Sequence, residues 1–246
     1  MFSKQPVLPA IRDIYSKELN YLACFLNNRM HRYFLRQITT RKEIPMNVFT
    51  ALETRRSIRQ YTSNNPIPQA HFDALINAVR VSPTSFNIQH WRIVRVLDSA
   101  LRHQLQEAAW GQEQITGAQE LLILCGDIDA WQKNPERYWR NLETDKQNYI
   151  VNMLKDFYSS KSQLQRDEAI RSCAIAAQSL MLAAKALGYD SNPMIGFDAD
   201  DVGKIINLPN QHVVTMMITL GKANEAAGVR GGDIPLNELL VMNTFS

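Results

Sequence analysis

Residues 167–188 read DEAIRSCAIAAQSLMLAAKALG, and the fold turns on this stretch. Ala169, Ile170, Cys173, Ala174, Ala176, Ala177, Leu180, Met181, Leu182, Ala183, Ala184 and Leu187 leave almost no polar face, so a helix is predicted over about 167–187. A helix apolar on nearly all sides is buried, either in a core or between subunits. Gly188 stops it. Downstream the pattern gives a helix near 199–206, a strand over Val213–Leu220 and a tail, 222–246, without a core of its own.

Upstream, residues 129–165 form a polar helical stretch dotted with Trp131, Tyr138, Trp139, Tyr149, Phe157 and Tyr158. Leu121–Cys125 is a continuous apolar run short enough for a buried strand, and Trp91–Leu97 alternates as a second strand. Ser99 is read as the cap of a helix running to about Ala109. Phe72, Leu75, Ile76 and Val79 line a helix that Ser82-Pro83-Thr84-Ser85 breaks. Asn47 caps a short helix expected to end near Arg56–Ser57. Helices and strands mixed without a regular βαβ repeat give an α+β fold.

The 246 residues bury a sizeable core. No apolar run approaches the roughly 20 residues of a membrane span. No secretory signal pattern is seen at the N-terminus. Cys24, Cys125 and Cys173 are widely spaced and lack C-x-x-C pairing, so they read as reduced thiols of a cytoplasmic protein. The histidines show no ligand spacing, and no metal is expected. Residues 1–46 carry eight Lys/Arg against Asp13, Glu18 and Glu43, a balance of +5; with a total of +3 the other 200 residues sum to −2. The basic character belongs to an extension, residues 1–45, and the folded body over 46–246 is close to neutral. That disfavours a nucleic-acid partner. Within the extension, residues 10–36 combine an apolar stripe with Arg12, Lys17, Arg29, Arg32 and Arg36. A membrane-surface helix is one reading. An arm laid on its own dimer is favoured, because the stripe carries large aromatics and Asp13 and Glu18 dilute the positive face.

Nucleophile-elbow, P-loop, HExxH and GxGxxG signatures are missing. Three constellations remain. Arg55-Arg56-Ser57-Ile58-Arg59 offers three guanidiniums and a hydroxyl to a phosphate through charge-assisted bonds, although the end of a helix repels anions. A solvated basic helix end is the bland alternative. Ser82–Trp91, SPTSFNIQHW, presents hydroxyls and amides suited to a polar ring edge, or is a plain polar loop. Asn192–Asp198, NPMIGFD, holds a glycine that lets backbone approach a flat ligand, or ends a strand in a turn.

In this order and spacing the three segments resemble the nitroreductase family, whose patterns R-[RH]-S-x-[RK], S-P-[ST]-S-x-N-x-Q-P-W and G-[YL]-D-x-x-P-x-x-G-F-[DE] correspond to Arg55–Arg59, Ser82–Trp91 and Gly188–Asp198. The resemblance covers about residues 46–246. It implies a central mixed, mostly antiparallel sheet flanked by helices in an intertwined homodimer, with the long apolar helix at the interface. It implies FMN as cofactor and NAD(P)H as hydride donor, the acceptor being small and electrophilic, such as a nitroaromatic or quinone. By the same resemblance Arg55, Arg56, Ser57 and Arg59 meet the FMN phosphate and ribityl chain, with Arg230 adding a cation. Pro83, Thr84, Ser85 and Asn87 reach the flavin of the partner subunit. Pro193, Met194, Ile195 and Gly196 line the isoalloxazine, and Gln112 or Gln114 touches its pyrimidine edge. No side-chain catalyst is implied, because the flavin carries the chemistry. Reductive dehalogenation or flavin breakdown on the same scaffold, or FMN binding without turnover, are the alternatives.

The chain departs from the pattern at four places. His90 replaces the proline before Trp91, and Ile195 stands where some members carry Glu. Asp233 lies near the place of a second C-terminal cation. Residues 1–45 have no counterpart in the family core.

Overall fold

A computed structural model describes residues 46–245, within a compact unit that begins at Met46. The expectations for the 1–45 extension, the helix at 10–36 and Cys24 lie outside the described residues.

The elements are α1 (Val48–Thr54), α2 (Gln69–Arg80), β1 (Trp91–Val96), α3 (Ser99–Ala108), α4 (Gln114–Gly117), β2 (Glu120–Asp127), α5 (Thr144–Tyr158), α6 (Ser162–Ala186), β3 (Asp190–Met194), α7 (Ala199–Ile205), β4 (His212–Gly221) and α8 (Leu236–Leu239). Short 3-10 turns occupy Ser85–Asn87 and Pro135–Trp139. The four strands are ordered β1-β2-β4-β3, every neighbouring pair antiparallel. An isolated parallel bridge, Ser57 to Ser191, gives the sheet its mixed character at the β3 edge.

Side chains alternate across β2. Leu122 and Leu124 face α2 and α6, packing with Leu75, Val79, Cys173, Ala177, Leu180 and Ile218. Leu121, Ile123 and Cys125 face the other way, against Leu105, Ile115, Val202 and Met217. The sheet is thus sandwiched, α2 and α6 on one face, α3 and α7 on the other, and β2 is buried along its whole length. A third small cluster joins Ile88, Trp131, Leu154 and Tyr158 between the loop before β1 and α5.

Several boundaries differ from the sequence reading. The long helix starts five residues early, at Ser162: its first turn is mostly polar, and its one apolar residue, Leu164, packs on the Trp131–Tyr158 cluster, not within the stripe that marked the helix. The stretch 129–165 is not one helix: turns and Pro135–Trp139 precede α5, which ends at Tyr158. Asp98, not Ser99, caps α3, its carboxylate accepting from Leu101 N. Asn47 does cap α1, accepting from Thr50 N at 2.9 Å, but the helix ends at Thr54 and leaves Arg55 extended. Gly188, at φ +77°, follows α6 in the left-handed conformation that ends helices cheaply.

Inside one subunit α6 buries a stripe: Ala169, Cys173, Ala176, Ala177, Leu180 and Ala184. Ala174 is exposed, and Ile170, Ile175 and Leu182 are only half-buried. One subunit therefore covers one face of this helix, and a second apolar face is left partly open.

Candidate active site

The segment after α1 runs beside the β3 edge. Ile58 N donates to Ser191 O at 3.0 Å, and Ile58 itself is buried. Tyr61 OH bonds to Thr219 on β4, Thr62 N donates to Lys222 O, and Gln119 Nε2 donates to Thr62 O. Burial pushes the Tyr61 hydroxyl well above its ordinary range, so it stays a neutral donor. These ties fix the Arg55–Ser57 backbone against the start of β3, and β3 leads directly to Ile195–Gly196. The first and third constellations are thereby brought to one sheet edge.

Arg55 Nη1 and Arg56 Nη1 are buried and have no hydrogen-bond partner. Ser191 Oγ, at the bridge itself, is also buried and unpartnered. Buried guanidinium nitrogens are expensive to leave unpaired, and an anion is the partner such groups accept. Arg230 is drawn to the same place. Its Nη2 donates to Leu52 O, Glu53 O and Arg55 O at 2.9–3.1 Å, covering the carbonyls at the end of α1. That cation offsets the negative end of the helix dipole, which removes the electrostatic objection to an anion beside Arg55. Ser57 and Arg59 are exposed.

Pro193 fits β3 because β3 is an edge strand, where the missing N–H costs no ladder bond. Met194 is buried, while Ile195 is 78% exposed. A Cβ built on Gly196 would meet only Gln112 Nε2 and Trp110 at ordinary contact, 3.5 Å. Nothing inside the subunit forbids a side chain there, so the open backbone is a cradle that a flat ligand would fill.

Trp110 was not singled out in the sequence, yet it stands at this cradle. It is 73% exposed, at φ +55°, followed by Gly111 at φ +80°. An aromatic residue held left-handed is strained. The Trp-Gly pair was the only sequence signal. Gln112 Nε2 donates to Gly196 O at 2.6 Å, and Gln114 Nε2 donates to Gln112 Oε1 and Met194 Sδ. Gln112 therefore borders the cradle, and buried Gln114 stands behind it as a brace.

The second constellation lies elsewhere in the subunit. It leads into β1, the opposite edge of the sheet from β3, so two strands, roughly 14 Å of sheet width, intervene. Pro83 and Asn87 are exposed, Thr84 and Ser85 half-buried. The loop holds Phe86, Asn87 and Gln89 at φ 50°, 55° and 53°. Thr84 Oγ1 accepts from Gln89 N, and Asn87 Nδ2 donates to Tyr138 O at 3.0 Å.

Cys125 and Cys173 are buried, and burial pushes their thiols up to about 11 and about 12. They are unreactive core residues. Among the described residues no group of His, Cys, Asp or Glu is placed to hold a metal ion, and no helix is long and apolar enough to cross a membrane.

Residues 52–222 match the model of the nitroreductase family. The chain belongs to that family. Protein DrgA of Synechocystis sp. is 43% identical over 202 residues, covering 80% of this chain and 96% of its own. MhqN of Bacillus subtilis, named an NAD(P)H nitroreductase, is 37% identical and covers 76% of this chain and 94% of its own. Among solved structures, one from Staphylococcus epidermidis described as an NAD(P)H:FMN oxidoreductase superposes with a TM-score of 0.75 at 25% identity, over 82% of this chain and 99% of that one. The nitroreductase fold carries an α+β sheet of the kind described above, and the three constellations fall inside the matched residues.

Proposed function

We propose that this nitroreductase-family chain is an FMN-dependent oxidoreductase that passes hydride from NAD(P)H to a small electrophilic acceptor such as a nitroaromatic or quinone. The observation that carries it is the pair of buried, unpartnered guanidinium nitrogens of Arg55 and Arg56, one strand-length from the open Ile195–Gly196 backbone. A phosphate end and a flat ring, held at opposite ends of β3, describe a flavin mononucleotide. The names of MhqN and of the Staphylococcus epidermidis protein point the same way.

When bound, FMN supplies the redox chemistry, and the protein supplies binding, orientation and exclusion of water. In this reading Arg55 and Arg56 take the phosphate, with Arg230 adding charge from the end of α1 and Ser57 and Arg59 reaching the ribityl side. Pro193–Gly196 underlie the ring. Gln112, held by Gln114, presents its amide at the ring's polar edge, and Trp110 walls the space in which a nicotinamide or acceptor stacks. No side chain needs to act as a nucleophile, in keeping with the inert thiols.

The site is read as a property of a homodimer. Pro83, Thr84, Ser85 and Asn87 sit at the far sheet edge of their own subunit, so contact with a flavin at β3 requires the partner's copy. The open face of α6 and the tail support this reading, for Val229, Leu236, Leu239, Leu240 and Phe245 are all more than half exposed in one subunit. We read the body over 46–246 as the flavin domain and residues 1–45 as an added arm, and the free, buried Cys125 and Cys173 support a cytoplasmic setting.

The test is direct. Purified protein should be yellow, release FMN and not FAD on heating, and bleach anaerobically with NADH or NADPH. Colourless protein that takes up no FMN would refute the reading.

A further inference from the structure

His90 lies outside the contacts just assigned and is fully buried. Its Nδ1 is 3.1 Å from Ser172 Oγ on α6. Ser172 Oγ lies 3.2 Å from Glu168 Oε1, one turn earlier on the same helix. Ser172 is fully buried, Glu168 nearly so, and Arg171 pairs with the other carboxylate oxygen. A carboxylate only accepts, and a hydroxyl has one proton, so the Ser172 proton goes to Glu168. His90 must then be the donor to Ser172. The ring is the neutral Nδ1–H tautomer, and the chain runs His90 to Ser172 to Glu168. Nε2 is left as a buried acceptor that no donor reaches.

His90 ends the loop that carries Phe86, Asn87 and Gln89 in left-handed conformations. Such conformations persist only where the surroundings over-determine them. Inside the loop, Asn87 N donates to Thr84 O, Ile88 N to Ser85 O and Gln89 N to Thr84 Oγ1. At its exit, His90 O accepts from Asp127 N at 2.9 Å, which pins the main chain to β2. The imidazole pins the same residue to α6.

We propose that the His90–Ser172–Glu168 chain anchors the 83–89 loop in its strained geometry, making His90 a positioning residue for the cofactor contacts of Thr84, Ser85 and Asn87. The consequence for FMN rests on the flavin reading above; the anchoring does not. Where the family pattern has a proline, the ring closure fixes φ covalently; here a side-chain hydrogen bond to α6 takes over that restraint. The setting keeps the ring neutral: burial lowers its pKa to about 4, with Asp127 opposing and Arg92 adding to the shift. Other charged or titratable groups nearby are Glu168 and Arg171 on α6, and Lys133 and His212, which face Asp127.

The test compares wild type with His90→Asn, His90→Leu and Ser172→Ala, reading amide hydrogen exchange and the FMN dissociation constant at pH 7. Asn offers an amide N–H in place of Nδ1–H; Leu offers none. Exchange at Asn87, Ile88 and Gln89 should quicken about tenfold in His90→Leu and Ser172→Ala and stay within about twofold of wild type in His90→Asn. The FMN dissociation constant should rise in the same order, by about tenfold. Unchanged loop exchange in His90→Leu and Ser172→Ala overturns the anchor. So does equal quickening across β2 and α6, which would mark general destabilisation. Ser172→Ala decides the matter if the leucine variant does not fold. Faster loop exchange with unaltered FMN affinity overturns the positioning role. A wild type that binds no FMN sinks the flavin reading, while the exchange comparison still decides the anchor.

Discussion

Arg55 and Arg56 follow a helix whose C-terminal carbonyls should repel an anion, and Arg230 on those carbonyls makes the location usable. Each charge-assisted bond to a phosphate is worth roughly 1.5–3 kcal/mol. Arg55→Ala should therefore raise the FMN dissociation constant about 10- to 100-fold. Hydride transfer in FMN-saturated enzyme should hardly change, since the guanidinium is remote from the ring; fluorescence titration and single-turnover bleaching separate the two effects. A second prediction concerns His90. Its folded pKa of about 4 lies below the ordinary 6.5, so below pH 6.5 the unfolded chain takes a proton that the folded chain refuses. The stabilisation is complete above pH 6.5 and disappears as pH falls through 4. Measured against His90→Asn in urea, the wild type should lose about 3 kcal/mol of relative stability between pH 7 and pH 4. Parallel pH profiles for the two proteins would contradict the buried neutral ring.

At the scale of elements, what could be read in the sequence followed from signals of side-chain type. The apolar run of α6 announced burial, Gly188 announced its end, and Asn47 announced the start of α1. Motif order carried Arg55–Arg59 and Asn192–Asp198, and the structure places both at the β3 edge. Signals borne by the backbone were invisible. Pro193 sits within β3 because an edge strand needs no N–H from it, and the left-handed Trp110 belongs to the turn that ends α3, where Gly111 N donates back to Gln106 O. The first turn of α6 offers only Leu164, which packs on the Trp131–Tyr158 cluster, so the apolar stripe did not mark it. The half-open face of α6 carries the third prediction. Leu182→Arg, on that face, should leave the subunit core intact yet weaken self-association, because a charge would enter an apolar contact between copies. Sedimentation should show a concentration-dependent shift toward monomer with unchanged far-ultraviolet circular dichroism. A variant as tightly associated as the wild type would place the interface elsewhere.

At the scale of the whole molecule, the proposed shared site turns on the width of the sheet. Arg55, Arg56 and Gly196 stand at one edge and Thr84, Ser85 and Asn87 at the other, and no adjustment of side chains spans two intervening strands. If the loop contacts flavin, it contacts the partner's flavin, and each site takes its phosphate clamp from one chain and its ring-edge loop from the other. This arrangement has a consequence that a site made within one subunit lacks. A clamp variant, Arg55→Ala with Arg56→Ala, and a loop variant, Ser85→Ala with Asn87→Ala, should each be nearly inactive at limiting FMN. Dissociated together and allowed to reassociate, half of the dimers would be mixed, and each mixed dimer would hold one site with both parts intact and one with neither. Activity should therefore recover to roughly a quarter of wild type, the share of intact sites under random pairing in a two-fold dimer. Sites built within one chain would recover nothing on mixing, because every clamp-defective subunit would keep its own defective site. A mixed population, verified by tag-based separation of the heterodimers, with no more activity than its parents would rule out the shared site and return the 83–89 loop to a role within its own subunit.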